Sequence, residues 1–267
     1  MLPTCLLFVP GDRPERFAKA LASGAGGVII DLEDAVAPGH KPIARGNVIE
    51  ELRSAALSAV RRFVRINTLR SRTGLEDLLA LSDVKPDGVV VPKAASGGEL
   101  AIVAALLPGI PIVALIESVA GVRAVDEIAH ERGVAAIAFG DADLSAELGS
   151  AKRWEALLAH RARVVLTARS AGIAALDGVT LDLSDARTIG EDARRALEMG
   201  FDGKMAIHPA QVVPIVQAFT PGDEEVARAR RIVEAAAGGG VTVVDGRMVD
   251  PPVIAAARRI LARATPS

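Results

Sequence analysis

Glu117 closes an otherwise apolar run, Ile112-Val113-Ala114-Leu115-Ile116-Glu117. An unpaired carboxylate is costly to bury, so we read Glu117 as a metal ligand or one half of a buried ion pair, not as an incidental surface residue. Asp31 and Glu33 are two residues apart in Ile29-Ile30-Asp31-Leu32-Glu33-Asp34. A strand places both on one face, and two carboxylates there need a cation nearby, either Mg²⁺ or an Arg or Lys. Arg65 lies inside the β-rich Phe63-Val64-Arg65-Ile66-Asn67; a buried guanidinium usually holds a carboxylate. Asp143, in Gly140-Asp141-Ala142-Asp143, divides evenly between a ligand and a helix cap. As a set these oxygen donors suit Mg²⁺ better than zinc.

The other polar residues carry blander readings. Asp34, Asp141 and Asp177 follow apolar runs and individually read as helix caps. His208 before Pro209 is read as a structural histidine ahead of a general acid or base. Lys93 after Pro92 could form a Schiff base, but with so many acids nearby we read it as their ion-pair partner. His40, His130 and His160 receive no role. Arg228, Arg230, Arg231, Arg258, Arg259 and Arg263 read as solvated helix faces.

These residues need elements to position them. Short β-rich runs occur at Cys5–Val9, Val28–Ile30, Phe63–Ile66, Gly88–Val91, Ile112–Ile116, Ala135–Phe139, Ala174–Leu176 and Met205–Ile207, each bounded by Gly, Pro or charge. Helical patterns lie between most of them: Pro14–Ser23, Ile43–Val60, Gly97–Leu107, Val119–Glu131, Trp154–Ala171 and Asp185–Met199. Strands alternating with helices predict a parallel α/β fold. No G-x-G-x-x-G follows a strand and no P-loop is present, so the count of eight favours a (β/α)8 TIM barrel over an open sheet. Charge gathers at the C-terminal ends of the runs, where a barrel enzyme keeps its active site. We expect the barrel to span residues 1–220. Residues 221–267, a helix over Asp223–Ala237, a flexible Gly238-Gly239-Gly240, a β-hairpin and a final helix, form a C-terminal hairpin-helix extension that packs on a neighbouring subunit.

Composition narrows the function further. Lys and Arg number 31 against 33 Asp and Glu, a balance that removes the electrostatic case for nucleic acid. Aromatic residues make up 3%, with no Tyr and one Trp, too few for a single-strand stacking surface. The single Cys5 excludes an internal disulfide framework and fits a reducing compartment, and the scattered His and Cys exclude a zinc site of those ligands. The N-terminus lacks the basic start of a signal peptide, and the longest apolar stretch, Ile110–Ile116, is too short for a membrane span. The expectation is a cytoplasmic protein without nucleic-acid or membrane partners.

The motifs LFVPGDRPERFAKAL (7–21), VIIDLEDAV (28–36), KPIAR (41–45), VRIN (64–67), VVPKA (90–94), ALIES (114–118), GDADL (140–144), AIHPAQV (206–212) and GRMVDPPV (246–253) occur in this order. With them the chain resembles the citrate lyase β-subunit-like (CitE-like) branch of the HpcH/HpaI aldolase family. The resemblance implies a (β/α)8 barrel, Mg²⁺, and retro-Claisen cleavage (or formation) of a 3-hydroxyacyl-CoA thioester such as citryl-, citramalyl- or malyl-CoA into acetyl-CoA and a 2-oxo acid. By position it makes Glu117 and Asp143 the metal ligands, and Asp31, Glu33 and Asp34 the acidic group supporting the metal's waters. Arg65 would hold the oxo acid or developing enolate, and Glu33 joins the catalytic set. Asp250 would be an acid/base supplied by a neighbouring subunit of a homo-oligomer, a trimer or hexamer. Arg13, Lys41 and Arg45 are candidates for the coenzyme A phosphates.

Two positions depart from the family pattern: Thr4-Cys5 replaces its usual Arg-Ser, and Ala142 replaces the Glu of its Gly-Ala-Glu-Asp. The chain is also short for a citrate lyase β subunit, so a stand-alone lyase is preferred. The alternatives are a CoA-independent class II pyruvate-type aldolase, which would use a His where this chain has Asp31-Leu32-Glu33-Asp34, and a non-catalytic subunit of a citrate lyase-like complex.

Overall fold

The computed structural model describes residues 2–54, 59–183, 185–236 and 242–264. Eight parallel strands close into a barrel in chain order: β1 (Cys5–Pro10), β2 (Gly27–Asp31), β3 (Arg61–Arg65), β4 (Gly88–Val91), β5 (Ile112–Ile116), β6 (Val134–Phe139), β7 (Ala174–Asp177) and β8 (Gly203–Ala206). Around them run α1 (Phe17–Leu21), α2 (Lys41–Ser54), α3 (Arg72–Ser82), α4 (Gly97–Leu106), α5 (Val119–Ala129), α6 (Asp141–Leu148), α7 (Trp154–Ala171), α8 (Ala186–Met199) and α9 (Val212–Phe219). All eight predicted strands are present within two residues. Helices α3, α6 and α9 were not anticipated; α2 starts earlier than its pattern suggested, and the stretch 55–58 of that pattern lies outside the described residues. No helix among the described residues is long and apolar enough to cross a membrane.

The strands are apolar on both faces because the barrel buries both. Leu6, Ile29, Phe63, Val90, Val113, Leu115, Ala136, Ala138, Leu176 and Met205 fill the interior. Their alternate neighbours, among them Val28, Ile30, Val64, Val89, Ala114 and Ile137, pack outward against helical residues such as Val48, Leu78, Val103, Val125, Val164 and Ile189. Several helices begin with a serine whose hydroxyl accepts a backbone N–H, Ser71 for α3, Ser96 for α4 and Ser118 for α5, satisfying donors that the first turn leaves free.

Beyond the barrel follow α10 (Asp223–Ala235), the antiparallel pair β9 (Thr242–Val244) and β10 (Arg247–Val249), and α11 (Pro251–Ala264). The hairpin turns on Asp245 and Gly246, both at positive φ (51° and 74°), as a two-residue loop of its twist requires. Asp245 also pairs with Arg231 at 2.8 Å, tying the hairpin to α10. These elements share a small core of Ala229, Ile232, Val249 and Ala257. The predicted end of the first of these helices at Ala237 and the Gly238–Gly240 stretch lie outside the described residues.

Candidate active site at the barrel mouth

The two-residue period that fills the barrel also builds its mouth. The inward face continues from Ile29 to Asp31, from Phe63 to Arg65 and from Leu115 to Glu117, so each strand ends on a charged side chain aimed inward. Strand register sets Asp31 beside Arg65. Arg65 grips Asp31 with two parallel hydrogen bonds, Nε to Oδ1 and Nη2 to Oδ2, both 2.7 Å. Its Nη1 lies 3.0 Å from Glu33 Oε2, and the guanidinium sits 4.8 Å from the centre of the Phe8 ring. Burial opposes the charge on Arg65, but the bonds and charge of Asp31 more than offset it, and its pKa rises. Asp31 also accepts the backbone N–H groups of Glu33 and Ala35, which turns the loop after β2 back over the mouth.

Lys93, after β4, reaches across. Its Nζ lies 2.6 Å from Glu33, 3.7 Å from Asp34 and 3.6 Å from Asp143. Its backbone N–H donates to Glu117 Oε1 at 2.9 Å. Glu117 is 5% exposed. Burial pushes its pKa up to about 8, with the charges of Glu33 and Asp143 adding to the effect and Arg65 opposing it. Glu33 is likewise raised, first by burial. Gly140 makes this packing possible, since a Cβ there would stand 2.3 Å from the Glu117 Cβ. Asp143, in the first turn of α6, makes no capping hydrogen bond. Asp34, Arg70, Lys93, Glu117 and Asp143 line one cleft of about 630 Å³.

Asp31, Glu33, Arg65, Glu117 and Asp143 therefore meet at one end of the barrel, with Asp34 at the rim. Among the described residues, no three His, Cys, Asp or Glu side chains form a complete metal cage. That still fits Mg²⁺, which is commonly held by one or two carboxylates with waters and substrate completing its shell. The donors are all oxygen, and Glu117, raised chiefly by burial and further by Glu33 and Asp143, is a carboxylate that a nearby cation would favour in its charged form.

Other expectations change. Asp141 and Asp177 do not cap helices. Arg161 Nη2 lies 2.8 Å from Asp141 and its Nε 3.0 Å from Asp177, while Lys204 Nζ lies 2.8 Å from Asp177 and 3.0 Å from Asp192. Asp34 also caps no helix among the described residues, and its carboxylate lies 3.7 Å from Lys93. Lys41 and Arg45 are turned inward: Lys41 binds the Leu32 and Glu33 carbonyls and Asn67, and Arg45 pairs with Asp77 and Glu76. Neither presents its charge freely to a phosphate. Arg13 is half-exposed beside Asp12. His208 caps a short 3-10 turn through Ala210 N–H, as the structural reading supposed. Asp250 sits at the start of α11, where its carboxylate accepts the Val253 N–H at 3.2 Å.

Residues 4–209 match the family model described as HpcH/HpaI aldolase/citrate lyase. The chain belongs to that family. It is 35% identical over 266 residues to a (3S)-malyl-CoA thioesterase of Cereibacter sphaeroides, covering 97% of this chain and 93% of the relative. It is also 35% identical over 298 residues to an L-malyl-CoA/beta-methylmalyl-CoA lyase of the same organism, covering 97% and 94%. Among solved structures, protein CitE from Mycobacterium tuberculosis in complex with magnesium, acetoacetate and coenzyme A matches with a TM-score of 0.83 and 36% identity, covering 98% of this chain and 97% of the other.

Proposed function

We propose that this protein is a Mg²⁺-dependent carbon–carbon lyase that cleaves, or forms, a 3-hydroxyacyl-CoA thioester such as citryl-, citramalyl- or malyl-CoA, with acetyl-CoA and a 2-oxo acid as the other side of the reaction. The observation that carries the reading is the surplus of carboxylates at the mouth, five acids against Arg65 and Lys93. The likeness to a protein crystallised with magnesium, acetoacetate and coenzyme A supports it.

Glu117 and Asp143 would hold the ion. When bound, Mg²⁺ supplies Lewis-acid polarisation of the substrate oxygen and a template for the adjacent carboxylate. The protein's own part falls largely to Arg65. Two of its five N–H donors are spent on Asp31, and a third nitrogen lies beside Glu33 without a hydrogen bond, which leaves 5 − 2 = 3 donors for a substrate oxygen. As the bond between the hydroxyl-bearing carbon and its neighbour breaks, the hydroxyl passes its proton to a carboxylate of the mouth, for which we assign Glu33. The hydroxyl-bearing carbon becomes the carbonyl of the oxo acid, and the electron pair of the broken bond passes into the thioester enolate. Arg65 stabilises that developing charge. The enolate carbon then takes a proton, and we assign its delivery to Asp250 of a second copy. Within its own chain that carboxylate is occupied at the start of α11.

Thioester hydrolysis is the second reading, favoured by the relative named a (3S)-malyl-CoA thioesterase. Deuterium wash-in at the acetyl-CoA methyl, followed by NMR with Mg²⁺ or EDTA and with oxaloacetate, pyruvate or glyoxylate, separates the two. Metal-dependent exchange supports the lyase, and the stimulating oxo acid identifies the headgroup. Free CoA released from malyl-CoA without exchange supports the hydrolase. Silence in both assays overturns the reading. In Asp250→Ala, exchange should stop while Mg²⁺ binding persists; retained exchange removes Asp250 from the chemistry.

A further inference from the structure

Among the described non-glycine residues, only Lys93 and Asp245 have positive φ, and Lys93 is the one at the mouth (φ 49°). A lysine pays a conformational penalty there that glycine would not, and such strain at a site persists only where surrounding contacts over-determine it. They do so here. The Lys93 N–H is held by Glu117 at 2.9 Å and its carbonyl by Arg70 Nη2 at 2.6 Å. Arg70 is itself paired with Glu99, which accepts the Ala95 N–H from the same loop. The conformation throws the side chain back over the acidic floor, where one ammonium stands among Glu33, Asp34 and Asp143.

We propose that Lys93 is a positioning residue whose ammonium competes with the divalent ion for Asp143 while its backbone N–H aims Glu117. This rests on the reading of Glu117 and Asp143 as the ligands. Its consequence is that the protein alone holds Mg²⁺ weakly, and the carboxylate of the incoming substrate is needed to complete a tight site.

Glycine at this position keeps the backbone N–H, suits the positive φ and deletes the cation, and asparagine is the next best tolerated neutral residue there. Both variants relieve the backbone strain but take from buried Glu33 its 2.6 Å partner, so Lys93→Gly and Lys93→Asn are expected to fold and to melt somewhat below the wild type. By calorimetric titration without substrate they should bind Mg²⁺ at least about tenfold more tightly, since a like charge beside a ligand is removed. Lys93→Arg, which keeps the cation, should stay near the wild-type affinity. A merely structural lysine predicts weaker or unchanged binding on removal, and that result in both folded neutral variants overturns the role alone. If neither the wild type nor the neutral variants take up Mg²⁺, with or without oxo acid, the ligand reading falls together with it.

Discussion

Two charge clusters of the barrel are built to opposite rules. Behind β7 and β8, Asp141, Asp177 and Asp192 face Lys152, Arg161 and Lys204, three negative against three positive. At the mouth, Asp31, Glu33, Asp34, Glu117 and Asp143 face Arg65 and Lys93, five against two, and Arg70 at the edge of the cleft is already paired with Glu99. In the balanced cluster, Asp192 and Lys204 are held in their charged forms. Against the pull of burial, Lys204 holds Asp192 below the ordinary carboxylate range, while Asp177 and Asp192 hold Lys204 up. At the mouth, burial instead drives Glu117 towards its neutral form. A closed set of partners belongs to the fold; an open surplus of one sign is where a ligand of the other sign belongs.

Breaking the mouth should cost activity and spare stability. Glu117→Gln removes one surplus charge and one metal ligand, so turnover should fall on the order of a thousandfold. The melting temperature without Mg²⁺ should hold or rise. Activity within tenfold of the wild type would undo the contrast on the catalytic side.

Breaking the balanced cluster should do the reverse. Asp177→Asn strips Arg161 and Lys204 of a shared carboxylate at a position with no exposure. Removing one partner of a buried pair leaves an uncompensated charge, and we expect about 3–5 kcal/mol less stability in urea unfolding. A loss under about 1 kcal/mol would mean that water or a rearranged partner repairs the network, and the two clusters would then differ only in name.

How much of this was legible in the sequence follows the same division. The barrel and the charged ends of its strands rest on a period of two and on short-range punctuation, so Asp31, Arg65 and Glu117 could be placed at the C-terminal ends of their strands; Glu33, expected on the same strand face as Asp31, lies beyond the end of β2. The balanced cluster has no such signature. Arg161 meets Asp141 and Asp177 from α7, 20 and 16 residues away, and a cap reading of either aspartate uses only its immediate neighbours. Arg45 was assigned to a phosphate for the same reason, its partner Asp77 lying 32 residues on. The missed helices had weaker signals. Ser71 marks the start of α3, but α6 has only 8 residues, and α9 reads Val-Val-Pro-Ile-Val, a strand-like composition. Lys93 was correctly paired with acids, but its positive φ cannot be read from its residue type.

The smallest effect concerns how dry the balanced side is. Cys5, the single cysteine, sits on β1 in register with Lys204. Burial pushes its thiol up to about 12, with Lys204 only partly opposing. A folded pKa above the ordinary 9.0 means that the native state keeps its proton longer than the unfolded chain does. The thiol's contribution to stability is therefore intact below about pH 9 and is lost as pH climbs through about 12. Because the thiolate is the nucleophile, a disulfide reagent at pH 8 should label native protein at least about a thousandfold more slowly than protein in denaturant. Asp177→Asn should speed native labelling by the same factor by which it raises the unfolded fraction, so one thiol reports on the network from inside. Prompt labelling of the native wild type at the free-thiol rate would show that solvent reaches β1. The balanced cluster would then be a wet one, with far less to lose from Asp177→Asn than a buried network has.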